Sequence, residues 1–272
     1  MFVQQQAIAI LDSGVGGLTV AKEVMRQLPR EKIIYFGDTA RTPYGPRSPE
    51  EVTLFTEQIV DFLIQFKPKM VVIACNTATA AALEHIKRKL TVPVIGVIHP
   101  GARAAISSTK TGQVGVIGTI GTIHSGAYTA ALKELNPVID VVSEACPEFV
   151  PLVEQGQFGT PKATLVVEQS LSEMKQHPID CLILGCTHYP FLMNPIQEVM
   201  GPDVKLISSA DETAREISTV LYQKGQLARG NEVPIHQFFC SGDSEMFSKI
   251  AHQWLGEQIE LTPIVWQVSN PS

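Results

Sequence analysis

Val71-Val72-Ile73-Ala74-Cys75-Asn76-Thr77 is a continuous apolar run that ends on a small residue and turns polar at a cysteine. A run that is apolar at every position fits a strand buried on both faces, as in parallel sheets covered by helices. A second stretch, Leu182-Ile183-Leu184-Gly185-Cys186-Thr187-His188, repeats the form: an apolar strand, a small residue, then Cys with a Thr close behind. Similar runs predict strands at Ala7–Leu11, Lys32–Phe36, Met70–Ala74, Pro93–Val97, Val114–Gly118, Val138–Val142, Cys181–Leu184, Val204–Ile207 and Ile235–Phe239. Amphipathic stretches lie between them. Ser48-Pro49-Glu50-Glu51 carries the N-cap, first-turn proline and third-position glutamate of a capping box, and Val52, Phe55, Ile59, Phe62, Leu63 and Phe66 come after it at helical spacing. Asp211 is expected to cap another helix that runs to about Gly225, a glycine stop. Strand–helix alternation makes this an α/β protein. The matched stretches around Cys75 and Cys186 suggest two related halves; any two buried strands of such a protein look somewhat alike, so the echo by itself does not establish them.

The chain has 272 residues, enough for one large or two medium domains and for a core that needs no disulfide or metal staple. Charged residues make up 18% and apolar residues 44%, a globular balance. The net charge of −6 argues against a general nucleic-acid binder, which needs clustered positive charge to displace counterions. The longest apolar runs fall far short of the ~18 residues of a spanning helix. The N-terminus lacks a basic start and apolar signal core, so the expectation is an unprocessed, cytoplasmic protein without membrane attachment. Five cysteines, an odd number set in or beside apolar segments, point to free thiols in a reducing compartment.

In an open α/β sheet, ligands bind beyond the carboxyl ends of the strands. The residues just beyond the predicted strands are Asp12-Ser13-Gly14-Val15-Gly16-Gly17, Cys75-Asn76-Thr77, Thr119, and Gly185-Cys186-Thr187-His188-Tyr189-Pro190. The glycine loop fails the dinucleotide fingerprint, because Thr19 stands where its last glycine belongs, and there is no phosphate-binding G-x-x-x-x-G-K-[ST] loop. That leaves a tight turn whose N–H groups could hold a small carboxylate, or one that is structural only. A cysteine that opens a helix has its thiolate favoured by the helix N-terminus. With a free pKa near ~8.5 the thiolate deficit at neutral pH is ~2 kcal/mol, which a helix N-terminus and nearby donors could largely erase. A single such cysteine is more simply a small buried hydrophobe; two in matching contexts tip the balance toward function. Cys146, Cys181 and Cys240 lack that context and read as core or surface thiols. Zinc-ligand spacings and a redox C-x-x-C are absent, so no metal is expected. On spacing alone His188 is more simply a solvated surface histidine than a proton relay.

Asp12–Gly17, Asp38-Thr39 with Pro43-Tyr44-Gly45, Ala74–Ala78 and Gly185–Pro190, in this order and spacing, resemble the glutamate racemases of the aspartate/glutamate racemase superfamily. The resemblance runs from about residue 7 to 255. It implies two pseudo-symmetric, doubly wound α/β domains with mainly parallel sheets and an active site in the cleft between them. Residues 1–98 plus 210–272 would form the first domain and 99–209 the second. It also implies cofactor-independent, two-base racemisation of glutamate, with Cys75 the base for the D-enantiomer and Cys186 the base for the L-enantiomer. Asp12 would assist Cys75, and His188 with Glu154 would assist Cys186. Asp12, Ser13, Tyr44, Gly45, Asn76, Thr77, Thr187 and His188 would bind the substrate's carboxylates and ammonium, with Thr119 a further contact. A homodimer and a role in supplying D-glutamate for peptidoglycan, hence cell-wall biogenesis and cell shape, or for poly-γ-glutamate, are implied on the same ground. The rival readings are an aspartate or other amino-acid racemase of the superfamily, a non-catalytic amino-acid-binding protein, and a thiol or metal-thiolate protein.

Overall fold

The computed structural model describes residues 3–230, 233–256 and 261–264. The strands in chain order are β1 (Ile8–Asp12), β2 (Ile33–Gly37), β3 (Met70–Ile73), β4 (Val94–Gly96), β5 (Gln113–Gly118), β6 (Asp140–Ala145), β7 (Cys181–Gly185), β8 (Lys205–Ser208), β9 (Gln237–Cys240) and β10 (Leu261–Pro263). They form two sheets, ordered β10-β9-β2-β1-β3-β4 and β6-β5-β7-β8. Every pairing between them is parallel. The run β2-β1-β3-β4 and the whole second sheet share one winding: the first strand is flanked by the second on one side and the third on the other, with the fourth outside the third. The echo read in the sequence is thus a topological repeat, with β3 and β7 in equivalent places. The parallel ladder demands cover on both faces, and the central strands β1, β3 and β7 are buried along their whole length.

The helices are α1 (Leu18–Gln27), α2 (Pro49–Leu63), α3 (Asn76–Lys89), α4 (Ile98–Ser108), α5 (Ile120–His124), α6 (Ala127–Leu135), α7 (Phe149–Glu154), α8 (Pro161–Ser170), α9 (Met193–Met200), α10 (Ser209–Gln223) and α11 (Ser244–Leu255). The capping box forms as its sequence predicts: Glu51 N donates to Ser48 Oγ at 3.2 Å and Ser48 N to the Glu51 carboxylate at 3.3 Å. The cap of α10 is Ser208 rather than Asp211, since Ala210 N donates to Ser208 Oγ at 3.3 Å. Asp211 sits in the first turn, where it pairs with Arg26 at 2.9 Å and Arg215 at 2.7 Å. α10 packs against both α1 and α4, so it joins the layers that cover the two sheets.

Strand ends shift where the apolar pattern overruns the sheet. Val138 and Ile235 are exposed and outside their strands, at 88% and 77%. The apolar pattern does not predict β10, because a three-residue, largely exposed edge strand ending on proline carries no buried-strand signal. Below β1 and β3 lies a buried ion pair, Lys69 Nζ to Glu31 Oε2 at 2.5 Å. Lys69 also donates to the carbonyls of Gln4 and Gln226, and Ala228 N donates to Glu31, so the pair pins the connection from α10 to β9. Among the described residues no helix is long and apolar enough to cross a membrane.

Candidate active site

The carboxyl ends of β1, β3, β5 and β7 converge on one cavity of ≈ 260 Å³ of empty space, lined by Ser13, Cys75, Thr119 and Cys186 among others. A larger surface groove of ≈ 1370 Å³ between α8 and α9 presents neither a cysteine nor a histidine. The cavity walls also include Tyr44, Gly45, Asn76, Thr77, Thr187 and His188, so the structure brings these sequence-selected residues together. Pro43 and Val150 complete the lining; the sequence reading missed Val150, an apolar residue on α7 four positions before Glu154. Asp12 and Glu154 stand one layer behind, bonded to lining residues.

Cys75 follows β3 and caps α3, with Ala78 N donating to its Sγ at 3.4 Å. The expectation that the helix N-terminus offsets the thiolate deficit fails here. Burial pushes the Cys75 thiol up to about 12; the Asp12 carboxylate pushes the same way, and the Ala78 and Ser13 donors do not compensate. Cys75 is therefore a thiol at neutral pH. Asp12 is itself raised above the usual carboxylate range by burial, against the opposing charge of His188 and hydrogen bonds from Gly17, Thr187 and Gly14. Thr187 Oγ1 donates to Asp12 Oδ2 at 3.0 Å and Gly14 N to Oδ1 at 3.0 Å.

Cys186 follows β7 at the equivalent point of the second sheet, but a 3₁₀ turn, Tyr189–Leu192, separates it from α9. Its partner is a side chain: His188 Nδ1 lies 3.7 Å from Cys186 Sγ. His188 Nε2 lies 2.6 Å from Glu154 Oε1, which also accepts from Val15 N at 3.0 Å. His188 is only 1% exposed, so the solvated-histidine reading of its spacing is wrong; the turn after β7 folds it inward against α7. Burial lowers its pKa, but the hydrogen bonds to Cys186 and Glu154 outweigh that and raise it well above its ordinary value. The glycine loop does hold a carboxylate, and it is the chain's own Glu154.

The two halves also meet directly. Gly121 N donates to Gly45 O at 2.8 Å, and Thr77 Oγ1 lies 2.8 Å from Thr119 Oγ1 and 3.2 Å from Thr122 Oγ1. Tyr44 is buried and donates to Asp38 Oδ2 at 2.5 Å, which fixes the Tyr44–Gly45 wall. Cys146, Cys181 and Cys240 are buried free thiols outside the cavity, as core thiols should be.

The cavity thus lies between two similarly wound parallel sheets and takes a cysteine from the end of each. Residues 16–217 match the Asp/Glu/Hydantoin racemase family, and the chain belongs to that family. It is a racemase, an isomerase by reaction class. It is 56% identical to a glutamate racemase of Bacillus cereus over 94% of this chain and 95% of that one. Its structure is similar to a glutamate racemase isoform of Bacillus anthracis, with a TM-score of 0.93 and 52% identity over 96% of this chain and 98% of the other. It is also similar to the glutamate racemase of Francisella tularensis in complex with D-glutamate, with a TM-score of 0.89 and 34% identity over 98% and 99% of the two chains.

Proposed function

We propose that the protein interconverts L- and D-glutamate without a cofactor, by a two-base mechanism at Cys75 and Cys186. The observation that carries this reading is the cavity lined by both cysteines, each from the end of an equivalent strand of its own sheet. Inverting a stereocentre with fixed groups needs an acid and a base on opposite faces of the carbon. In the L-to-D direction the Cys186 thiolate takes the α-proton, the C–H electron pair is left on the α-carbon as a carbanion, and the Cys75 thiol delivers its proton to the opposite face. The products are D-glutamate, a Cys186 thiol and a Cys75 thiolate; one proton lost to solvent from Cys186 and one gained at Cys75 restore the enzyme.

The resting site suits that assignment. Cys75 is held as a thiol by burial and by Asp12, so it is the donor in waiting. His188 reaches the Cys186 sulfur and is backed by Glu154, which positions it to relay a proton to or from that sulfur. In the reverse direction Asp12, its own carboxyl raised by burial, is the group next to Cys75 able to share its proton. Charge on the carbanion is the larger barrier, and fixed donors carry most of its stabilisation: the Ser13 and Thr187 side chains and the adjoining backbone.

We read residues 1–98 with 210–272 and residues 99–209 as the two domains, a division supported by the membership of the two sheets. The product would feed peptidoglycan or poly-γ-glutamate synthesis in the cytoplasm, and the active form would be a homodimer.

The purified protein is incubated with L-glutamate in D₂O, with no pyridoxal phosphate and no metal. Loss of the α-proton signal by NMR with decay of optical rotation to zero is expected. Replacing either Cys75 or Cys186 by Ser should abolish racemisation. Full activity in either variant, or an unchanged wild-type spectrum on glutamate, would sink the reading.

A further inference from the structure

Asn76, the first residue of α3, is 2% exposed and lines the cavity, yet its amide nitrogen Nδ2 has no hydrogen-bond partner. A buried amide donor left unpaired is costly unless a ligand takes it. Its other end is committed. Tyr128, on α6 in the opposite half of the molecule, donates its phenol hydroxyl to Asn76 Oδ1 at 2.7 Å. Tyr128 is 2% exposed and is itself tightly held: the Ser209 hydroxyl lies beside its oxygen, and its ring edge rests where a side chain on Gly185 would be, 3.0 Å from the Cβ that glycine lacks. The glycine before Cys186 therefore makes room for a ring whose hydroxyl works on the residue after Cys75.

We propose that Tyr128 is a positioning residue that fixes Asn76 as a donor into the cavity, and so commits that point of the site to an oxyanion of the substrate, a carboxylate, rather than to its ammonium group. An amide free to turn over could offer either its oxygen or its nitrogen. The phenol oxygen takes the Ser209 hydroxyl as its donor, which leaves the phenol's own proton for Oδ1, so the cavity meets Nδ2 alone. The inference rests on the reading of this cavity as an amino-acid site, and none of the sequence motifs pointed to it, because Tyr128 is a lone aromatic on a helix that carries no motif.

Tyr128→Phe keeps the ring and removes only the hydroxyl. KM for glutamate should rise about tenfold with kcat changed less than about twofold, the pattern of a lost substrate contact. In an Asn76→Ala background the same substitution should change KM by less than about twofold, because the group it positions is gone. An unchanged KM in Tyr128→Phe, an equal rise in both backgrounds, or a fall in kcat alone overturns the proposal. Equal losses would mark a packing role. Calorimetric titration of the same four proteins with D-glutamate separates this inference from the catalytic reading. A wild type that binds but does not racemise sinks only the catalytic reading and leaves the coupling measurable in Kd; a wild type that does not bind overturns both.

Discussion

One oxygen of Glu154 lies 2.6 Å from Nε2 of His188 and takes the Val15 N–H at 3.0 Å, so a single atom ties the end of α7 to both the glycine loop and the turn after β7. The arrangement leaves no room beside Gly14: a Cβ there would sit 1.9 Å from that same oxygen. Because a carboxylate at the end of a side chain can swing away, Gly14→Ala should fold. It should nonetheless release His188 and lower kcat about 10²-fold, the order expected when a supporting group is displaced by about an ångström. Steady-state kinetics beside a thermal melt test this; an unchanged kcat with the substitution in place would show that Glu154 does not support His188 in turnover.

Burial of Cys75 has a consequence for alkaline stability. A free cysteine titrates at ~8.5, and the folded protein holds this one up to about 12. Below pH ~8.5 both folded and unfolded chains keep the proton, so this group contributes no pH dependence. Between about 8.5 and 12 the unfolded chain releases it and the folded chain does not, so stability falls as pH rises, by up to about 1.4 kcal/mol per pH unit for this one group. Cys181, also pushed up to about 12, adds to the slope of the wild type. Cys75→Ser, whose hydroxyl does not ionise there, should show a shallower fall in denaturation midpoint from pH 9 to 11 than the wild type. Parallel curves would count against a buried Cys75 thiol.

Much of this was legible in the sequence. Continuous apolar runs located nine of the ten described strands and implied parallel sheets. The cysteines stood out because strand-end placement and local context are both written along the chain. Sequence order hides contact between distant residues. His188 looks solvated until the turn after β7 folds it against Glu154, and Tyr128 looks ordinary until α6 brings it to Asn76. The thiolate argument for Cys75 failed for a related reason: a helix N-terminus can be read locally, whereas burial beside Asp12 cannot.

The Lys69–Glu31 pair should be a large single contributor to stability when broken. Both side chains are almost fully buried, at 0% and 2% exposure. Lys69→Met leaves the Glu31 carboxylate buried without its counter-charge, a loss of about 3–5 kcal/mol. The expected fall in Tm is about 10 °C for a chain of this size. Because the pair holds Gln226 and Ala228, the connection into β9 should become the first site of limited proteolysis. Lys69→Met combined with Glu31→Leu should recover part of the loss, since two apolar side chains leave no buried charge. A double variant no more stable than the single would place the cost in packing and not in the unpaired carboxylate.

Asp38 is the hub of the wall opposite. It is fully buried and accepts from Tyr44 Oη at 2.5 Å, Arg41 Nε at 2.6 Å and Ser241 Oγ at 2.6 Å. Two of these partners belong to the loop that supplies Tyr44 and Gly45 to the cavity, and the third comes from just beyond β9. The carboxylate therefore acts through Tyr44, which lines the cavity, as Asp38 itself does not. Asparagine can reproduce the geometry: its oxygen can face Tyr44 and Arg41 while its amide donates to Ser241, whose hydroxyl can accept. Alanine leaves all three donors without their acceptor. If Asp38 only positions Tyr44, Asp38→Asn should keep KM and kcat within about threefold, while Asp38→Ala should raise KM about tenfold and lower Tm, as expected from loss of hydrogen bonds to a charged group. If Asp38 instead moved a proton during turnover, the asparagine variant, which cannot carry that proton, would lose kcat as severely as the alanine one. The ratio of the two kcat values decides between positioning and proton transfer.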